Sequence, residues 1–348
     1  MAQAIYHIGF KFSHHAAKSG YDRLTDYLPR VKRIGSGFAE RLMNVNVESL
    51  PRWQAAIRRR VVRFSPMEWS ILPRVAFTRQ LSIYHFLYAE NTYKFSMGAQ
   101  RTARIVCSFH QPAEWFSRLL HDPSRKREAK AYRRIDSAIG LGKSQAEALR
   151  ALTGRDNVVH IPYGVDTEFF IERPAVPERK RILTVGSWLR DFDMLRTVAE
   201  SILRIDPGIE FAVVAQRNHL EKLAGLPNVH CLHGIPDAEL LELYHTSSVL
   251  FLPLKDAVAN TALLEGMSCG VPCVVTDIGS IREYASEDHA IMVSRNEVRL
   301  YTDALMGLLR DRELQRKYGK RARERGLNFS WQNVSAKMAE HYAQIFRQ

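Results

Sequence analysis

Glu265 lies a turn into an apolar helix that opens after Asn260, within the stretch Asn260-Thr-Ala-Leu-Leu-Glu265-Gly-Met-Ser-Cys-Gly270-Val-Pro272-Cys-Val-Val-Thr-Asp277-Ile-Gly279. The stretch reads as loop, helix, tight turn, buried strand, loop. A helix N-terminus offers unpaired N–H groups and the positive end of a dipole, so it holds phosphate without a charged side chain. A carboxylate accepts two hydrogen bonds at once, which suits the vicinal hydroxyls of a ribose. The order of these parts points to a nucleoside-diphosphate pocket. No single residue in it does so alone.

The elements that must position Glu265 alternate regularly. Apolar strands are expected at 181–186, 210–215, 229–232, 248–254, 273–277 and 290–293, with helices at 193–205, 237–244 and 261–269 among those between them. Apolar strands alternating with helices imply a parallel, doubly wound sheet. Upstream, strands are expected at 5–9, 83–89, 103–109, 137–141 and 158–161, with helices at 20–28 and 124–134. The proline-rich, charged segment from Ile171 to Lys180 reads as a linker. The expected organisation is therefore residues 1–170, a linker at 171–180, residues 181–330, and a last helix at 331–348 that crosses back to the first domain. The fold class is α/β: two Rossmann-like domains, with ligand loops at the carboxyl ends of the strands and the active site in the cleft they face.

Length and composition bound this reading. The chain has 348 residues, 46% apolar and 25% charged, enough for two cores. No run approaches the roughly 18 apolar residues of a membrane span, and the N-terminus lacks a signal-peptide pattern. The expectation is a cytoplasmic protein. Cys107, Cys231, Cys269 and Cys273 read as small core residues rather than as a zinc site. Net charge is +13, and residues 1–160 carry 27 Lys and Arg against 12 Asp and Glu. All the excess positive charge thus sits in the first half, which implies an anionic partner there: a phosphorylated acceptor, an anionic bilayer or a nucleic acid.

The second half resembles the retaining family 4 glycosyltransferases of the GT-B fold (glycosyl transferases group 1). Their E-x7-E followed by G-x-P-V-V-x-T-D-x-G is matched by Glu265 and then Gly270 to Gly279. Val159 to Phe169 resembles the family's I-P-N-G-V-D-x-x-x-F, and Ile182 to Gly186 its first C-terminal strand. His233-Gly234-Ile235 with the helix ending at Tyr244, and Asn328-Phe-Ser-Trp331, match further segments. The resemblance implies a donor site with Glu265 on the ribose and the base near Gly234 and Ile235. It implies the diphosphate on Arg190, the N–H groups of Ala262, Leu263 and Leu264, and Gly20, with Lys255 as an extra cation. It makes His110, Arg190 and Glu265 the catalytic set. Two departures stand out. Ala257 replaces the first glutamate of E-x7-E, so the sugar is read by the adjacent Asp256 through a shifted loop, or by Asn260 and backbone groups. Ser187 replaces the usual arginine, and Arg190 aligns with the family's lysine after a one-residue deletion.

The resemblance places His110, after a strand end, against the donor sugar near the reacting carbon. His85 and Glu90 are weaker candidates at another strand end. The loop holding His14, His15, Lys18 and Tyr21 is the expected acceptor site. Arg58-Arg-Arg-Val-Val-Arg63 after Trp53 is either an ordinary solvated face or a basic helix on an anionic bilayer. The glycines near Gly35 do not complete a dinucleotide fingerprint. The implied function is transfer of a sugar from a UDP- or GDP-linked donor to an unknown acceptor, anionic or lipid-linked, with retention and without a metal or other cofactor. Alternatives are a GT-B epimerase or hydrolase, or a non-catalytic protein binding anions or nucleic acid.

Overall fold

The structure is a computed structural model that describes residues 3–11, 17–34, 37, 51, 53–54, 65–94 and 102–348. Two compact units divide the chain. The first comprises the chain up to Tyr163, apart from a short segment around Lys18 and Ser19, together with Gln332–Gln348; the second comprises that segment and Gly164–Trp331.

The first unit holds strands β1 (Ala4–Ile8), β2 (Val31–Ile34), β3 (Ser82–Phe86), β4 (Ala103–Phe109), β5 (Ser137–Gly140) and β6 (Val158–His160). They form one sheet in the order β2-β1-β3-β4-β5-β6, and every pairing is parallel. β3 is buried along its whole length and β4 at six of its seven residues, as expected of central strands covered on both faces. Tyr84, Phe86, Ile105, Cys107 and Phe109 form the centre of this core. β2 is absent from the sequence-based expectation. Its Val-Lys-Arg-Ile run is polar in the middle and has no fully buried residue, as befits an edge strand.

The second unit holds β7 (Arg181–Val185), β8 (Glu210–Val214), β9 (Val229–Leu232), β10 (Val249–Leu252), β11 (Cys273–Thr276) and β12 (Ile291–Val293). Their order is β12-β11-β10-β7-β8-β9, again parallel throughout. β7 and β10 lie side by side although three strands apart in sequence, so the strand order reverses between them. A crevice opens at the carboxyl ends of the strands at such a switch point, and ligands bind there in open α/β sheets. All six expected strands of this unit are present, with ends shifted by up to two residues.

The charged segment from Ile171 to Lys180 is not free of the second unit. Arg173 is buried, its Nη1 donates to the Ser247 carbonyl at 2.9 Å, and its backbone N–H donates to the Cys269 carbonyl at 3.0 Å. The passage between units falls upstream, at Tyr163–Gly164. There the two ends of the second unit meet. Val165 N–H donates to the Phe329 carbonyl at 2.9 Å and Trp331 N–H to the Val165 carbonyl at 3.1 Å. A methyl group on Gly164 would lie 2.3 Å from the ring of buried Trp331. Gly164→Ala is therefore expected to destabilise by about 1–3 kcal/mol through overpacking. Calorimetry should show a lowered Tm, partly restored by adding Trp331→Leu; an unchanged Tm would argue against this contact.

Candidate functional site

The loops after β7 and β10 meet at the switch point of the second unit. β7 ends at Val185, and Gly186 turns the chain at φ +94°. That glycine serves twice: its φ suits no L side chain, and a Cβ there would lie 3.0 Å from Arg190 Nη2. The Arg190 guanidinium folds back over it. Nε donates to the Val185 carbonyl at 2.9 Å, Nη1 to the Trp188 carbonyl at 3.3 Å and Nη2 to Asn260 Oδ1 at 3.1 Å. Burial lowers the Arg190 pKa to about 10, which leaves it a cation at neutral pH.

Asn260 follows the β10 loop and caps the helix Thr261–Ser268. Its Oδ1 accepts the Leu263 N–H at 3.1 Å as well as the Arg190 contact. This corrects the sequence-based expectation in two places. The Leu263 N–H is taken by the cap, and the Leu264 N–H donates to the Asn260 carbonyl at 3.1 Å. In this terminus the first two residues, Thr261 and Ala262, are the ones whose N–H groups have no partner inside the helix. Asn260 itself is buried, with its carbonyl-type oxygen committed to the cap.

Glu265 follows on the same helix, 4% exposed. Oε1 accepts from Ser19 Oγ at 2.7 Å and Oε2 from Tyr244 Oη at 2.8 Å. Burial dominates its titration and raises the pKa to about 7, while the two hydroxyl donors and Arg190 oppose the rise. Burial and the neighbouring carboxylate together push the Tyr244 phenol well up, so it stays a donor. Ser19 and Tyr244 escaped the sequence reading as partners of Glu265, because their contacts close 246 and 21 residues of chain. The Tyr at the end of an apolar helix was the one visible signal.

The remaining expected residues of this unit have these places. Asp256 Oδ1 accepts the N–H of Ala257 at 2.7 Å, so one of its oxygens is spent inside its own loop. Ala257 is buried and its carbonyl accepts from Ser280 N–H at 3.1 Å, so no polar side chain stands where the resemblance led one to expect a glutamate. Gly234 turns at φ +62° in an exposed loop, with Ile235 half-buried after it. Lys255 pairs with Asp193 at 3.6 Å. Lys18 is not a free acceptor-site cation: its Nζ lies 3.8 Å from Asp166 Oδ2 and over the Phe169 ring, and its backbone N–H donates to Asp237 Oδ2 at 3.1 Å.

The first unit gathers a second set of polar groups. Gly20, at φ +113°, precedes the 3-10 turn Tyr21–Tyr27. Tyr21 is fully buried, which corrects its assignment to an open acceptor loop; its hydroxyl lies 3.1 Å from Ser108 Oγ. His85 is also fully buried, with Nε2 2.7 Å from Ser108 Oγ and Nδ1 2.5 Å from Tyr342 Oη on the last helix, Trp331–Arg347. Both ring nitrogens are spent internally, so His85 is structural. His7 extends the chain, with Nε2 2.7 Å from Tyr342 Oη and Nδ1 2.8 Å from Thr25 Oγ1. Burial holds both rings neutral, pushing the His7 pKa down to about 3 and the His85 pKa well down. His110 stands just after β4, with Nδ1 3.6 Å from Glu90 Oε1. His14, His15 and the Arg58 to Arg63 run lie outside the described residues, as does most of the Gly35 segment. Among the described residues no group of three or more His, Cys, Asp or Glu is arranged to hold a metal ion, and no helix is long and apolar enough to cross a membrane.

Residues 167–325 match the family model of glycosyl transferases group 1. Curated relatives point the same way. Sulfoquinovosyl transferase SQD2 of Arabidopsis thaliana is 26% identical over 196 residues, which is 50% of this chain and 38% of the relative. Phosphatidyl-myo-inositol mannosyltransferase of Mycolicibacterium smegmatis is 26% identical over 216 residues, 58% of this chain and 54% of the relative. The chain thus spans about half or less of the length of these relatives. Among solved structures, sucrose-phosphate synthase from Thermosynechococcus elongatus superposes with a TM-score of 0.74 at 15% identity, covering 99% of this chain and 100% of that one. Anabaena Alr3699/HepE in complex with UDP and glucose gives 0.70 at 13% identity, covering 98% and 99%. These likenesses show the expected α/β fold, that of GT-B glycosyltransferases. The family match covers the second unit's site, with Arg190, Asn260, Tyr244 and Glu265 all inside it.

The raised pKa of Glu265 sets a pH signature. Between its ordinary value near 4.5 and about 7 the unfolded chain has lost this proton and the folded chain keeps it. Stability from this group therefore falls as pH rises through that window and is level above it. Glu265→Gln is expected to flatten that fall. Denaturation midpoints of both proteins from pH 5 to pH 8 should diverge in the stated direction; parallel curves would refute the shift.

Proposed function

We propose that this protein transfers a glycosyl group from a nucleotide-diphosphate sugar to an acceptor hydroxyl, with retention of anomeric configuration. The observation that carries this reading is the buried Glu265 carboxylate, on the helix whose terminus is capped by Asn260 and backed by Arg190. Both Glu265 oxygens already take hydroxyl donors, from Ser19 and Tyr244, and a ribose diol presents the same chemistry. The family match and the glycosyltransferase relatives support the activity. UDP is the favoured nucleotide, because structurally similar chains hold it.

In the reaction the bond from the anomeric carbon to the diphosphate oxygen breaks, and its electron pair leaves on the diphosphate. The acceptor oxygen bonds to the anomeric carbon from the same face, and its proton passes to the departing phosphate oxygen. Preorganised positive groups stabilise the departing charge. Arg190 and the N–H groups of Thr261 and Ala262 fill that role in this proposal, so no metal enters the step. Asp256 reads the donor sugar in this proposal, since Ala257 offers no side-chain polar group. The basic first half suits an anionic or lipid-linked acceptor and a peripheral contact with an anionic bilayer at the cytoplasmic face.

Titration of UDP and uridine by calorimetry tests the nucleotide half. Arg190→Ala should weaken UDP about 10- to 100-fold, the value of a charge-assisted hydrogen bond, and uridine much less. Equal weakening of both would refute a phosphate contact. Glu265→Ala should weaken both alike. Release of UDP from UDP-sugars that requires an added acceptor separates transfer from epimerase or hydrolase chemistry.

A further inference from the structure

His110 and Glu90 stand at the carboxyl ends of two neighbouring strands of the first unit. His110 follows β4, and Glu90 opens the short helix Ala89–Thr92 after β3. Tyr21 packs edge-on against the His110 ring at 4.8 Å, and Tyr88 lies over it at 4.6 Å with the planes 33° apart. Tyr163 closes a third side at 6.2 Å. None of these tyrosines is placed as its hydrogen-bond partner. The Tyr21 hydroxyl lies on Ser108, and the Tyr88 hydroxyl accepts the Tyr21 N–H at 2.8 Å.

Three polar atoms are left over in this aromatic box. His110 Nδ1, His110 Nε2 and Glu90 Oε2 are buried, and none has a hydrogen-bond partner among the described residues. Glu90 Oε1 lies 3.6 Å from His110 Nδ1, with the two side chains 4% and 14% exposed. That separation is an ion-pair distance, longer than a hydrogen bond. A buried carboxylate oxygen without a donor is costly, and the structure sets the His110 ring beside this carboxylate. Such contacts shorten when a site is occupied.

We propose that Glu90 is a positioning residue for His110: it holds the ring proton on Nδ1, so that Nε2 faces the ligand as a hydrogen-bond acceptor. The carboxylate orients the imidazole as second partners orient ring nitrogens elsewhere, by deciding which nitrogen keeps the hydrogen. The ligand group that satisfies both leftovers is a hydroxyl. One hydroxyl donates to His110 Nε2 and a neighbouring one donates to Glu90 Oε2, so a sugar edge with two adjacent hydroxyls fits this pair. That last step rests on the proposed glycosyl transfer; the state of the ring does not.

The full chain with nitrogen-15-labelled histidine tests it by long-range proton–nitrogen spectra at pH 8, with the His110 signals assigned by their loss in His110→Ala. The titratable groups that face the ring among the described residues are Glu90, Tyr21, Tyr88, Tyr163 and His85; burial holds His85 neutral and pushes the Tyr21 and Tyr88 phenols up. The wild-type ring is expected as the Nδ1–H tautomer. Glu90→Leu should return it to the Nε2–H form that an unpaired imidazole prefers, while Glu90→Gln, whose amide oxygen can still accept, should retain the wild-type form. Unchanged His7 and His85 ring signals show that each variant is folded. An Nε2–H tautomer in the wild type overturns the proposal without any variant, and so does a ring indifferent to Glu90→Leu. UDP added to the same samples reads the nucleotide site separately, so a failed titration there leaves the tautomer result standing.

Discussion

One oxygen holds the second unit's site together. Asn260 Oδ1 accepts both the Leu263 N–H that starts the helix and the Arg190 guanidinium from the loop after β7. A cap of this kind contributes about 1 kcal/mol to a helix. Here the same atom also fixes the position of a buried cation. The cation in turn is tied to the end of β7 through the Val185 carbonyl. Helix terminus, guanidinium and strand end therefore share one frame, and Glu265 is carried into it by the helix itself.

The electrostatics of that frame are balanced rather than maximal. The Glu265 carboxyl is raised toward neutrality by burial, and Arg190 is lowered yet still charged. Internal partners already meet both groups: Ser19 and Tyr244 the carboxyl, and Val185, Trp188 and Asn260 the guanidinium. Burial makes each contact stronger and each omission more costly. This is why Ser19 and Tyr244 matter: they satisfy the carboxylate in the absence of anything else.

Much of the fold was legible, because covered parallel strands read as continuous apolar runs and their spacing counts the units. β2 was hidden, since an edge strand need not be apolar. Glu265 stood out as a helix position following a loop, whereas Arg190 was reached only through the family resemblance. What the sequence could not display was satisfaction. The polar residues at Lys18, Tyr21 and His85 looked available, and each had found an internal partner: Asp166, Ser108 and Tyr342 in turn. Likewise Leu263 and Leu264 looked like phosphate donors until the cap and first turn claimed their hydrogens. Chemistry-bearing residue types are visible in a sequence, but their commitments are set by contacts distant along the chain.

The run Thr25, His7, Tyr342, His85, Ser108 and Tyr21, buried beyond its half-buried Thr25 end, has a property beyond cohesion. Every member is neutral and carries a single mobile hydrogen. Two concerted arrangements use a hydrogen at each link, one pointing from Thr25 toward Tyr21 and the other running back. The run is thus a one-dimensional polarisable wire with two directions. Tyr342 on the last helix is the link where both imidazoles meet, so the direction of the whole row turns on which of them its hydroxyl faces as donor.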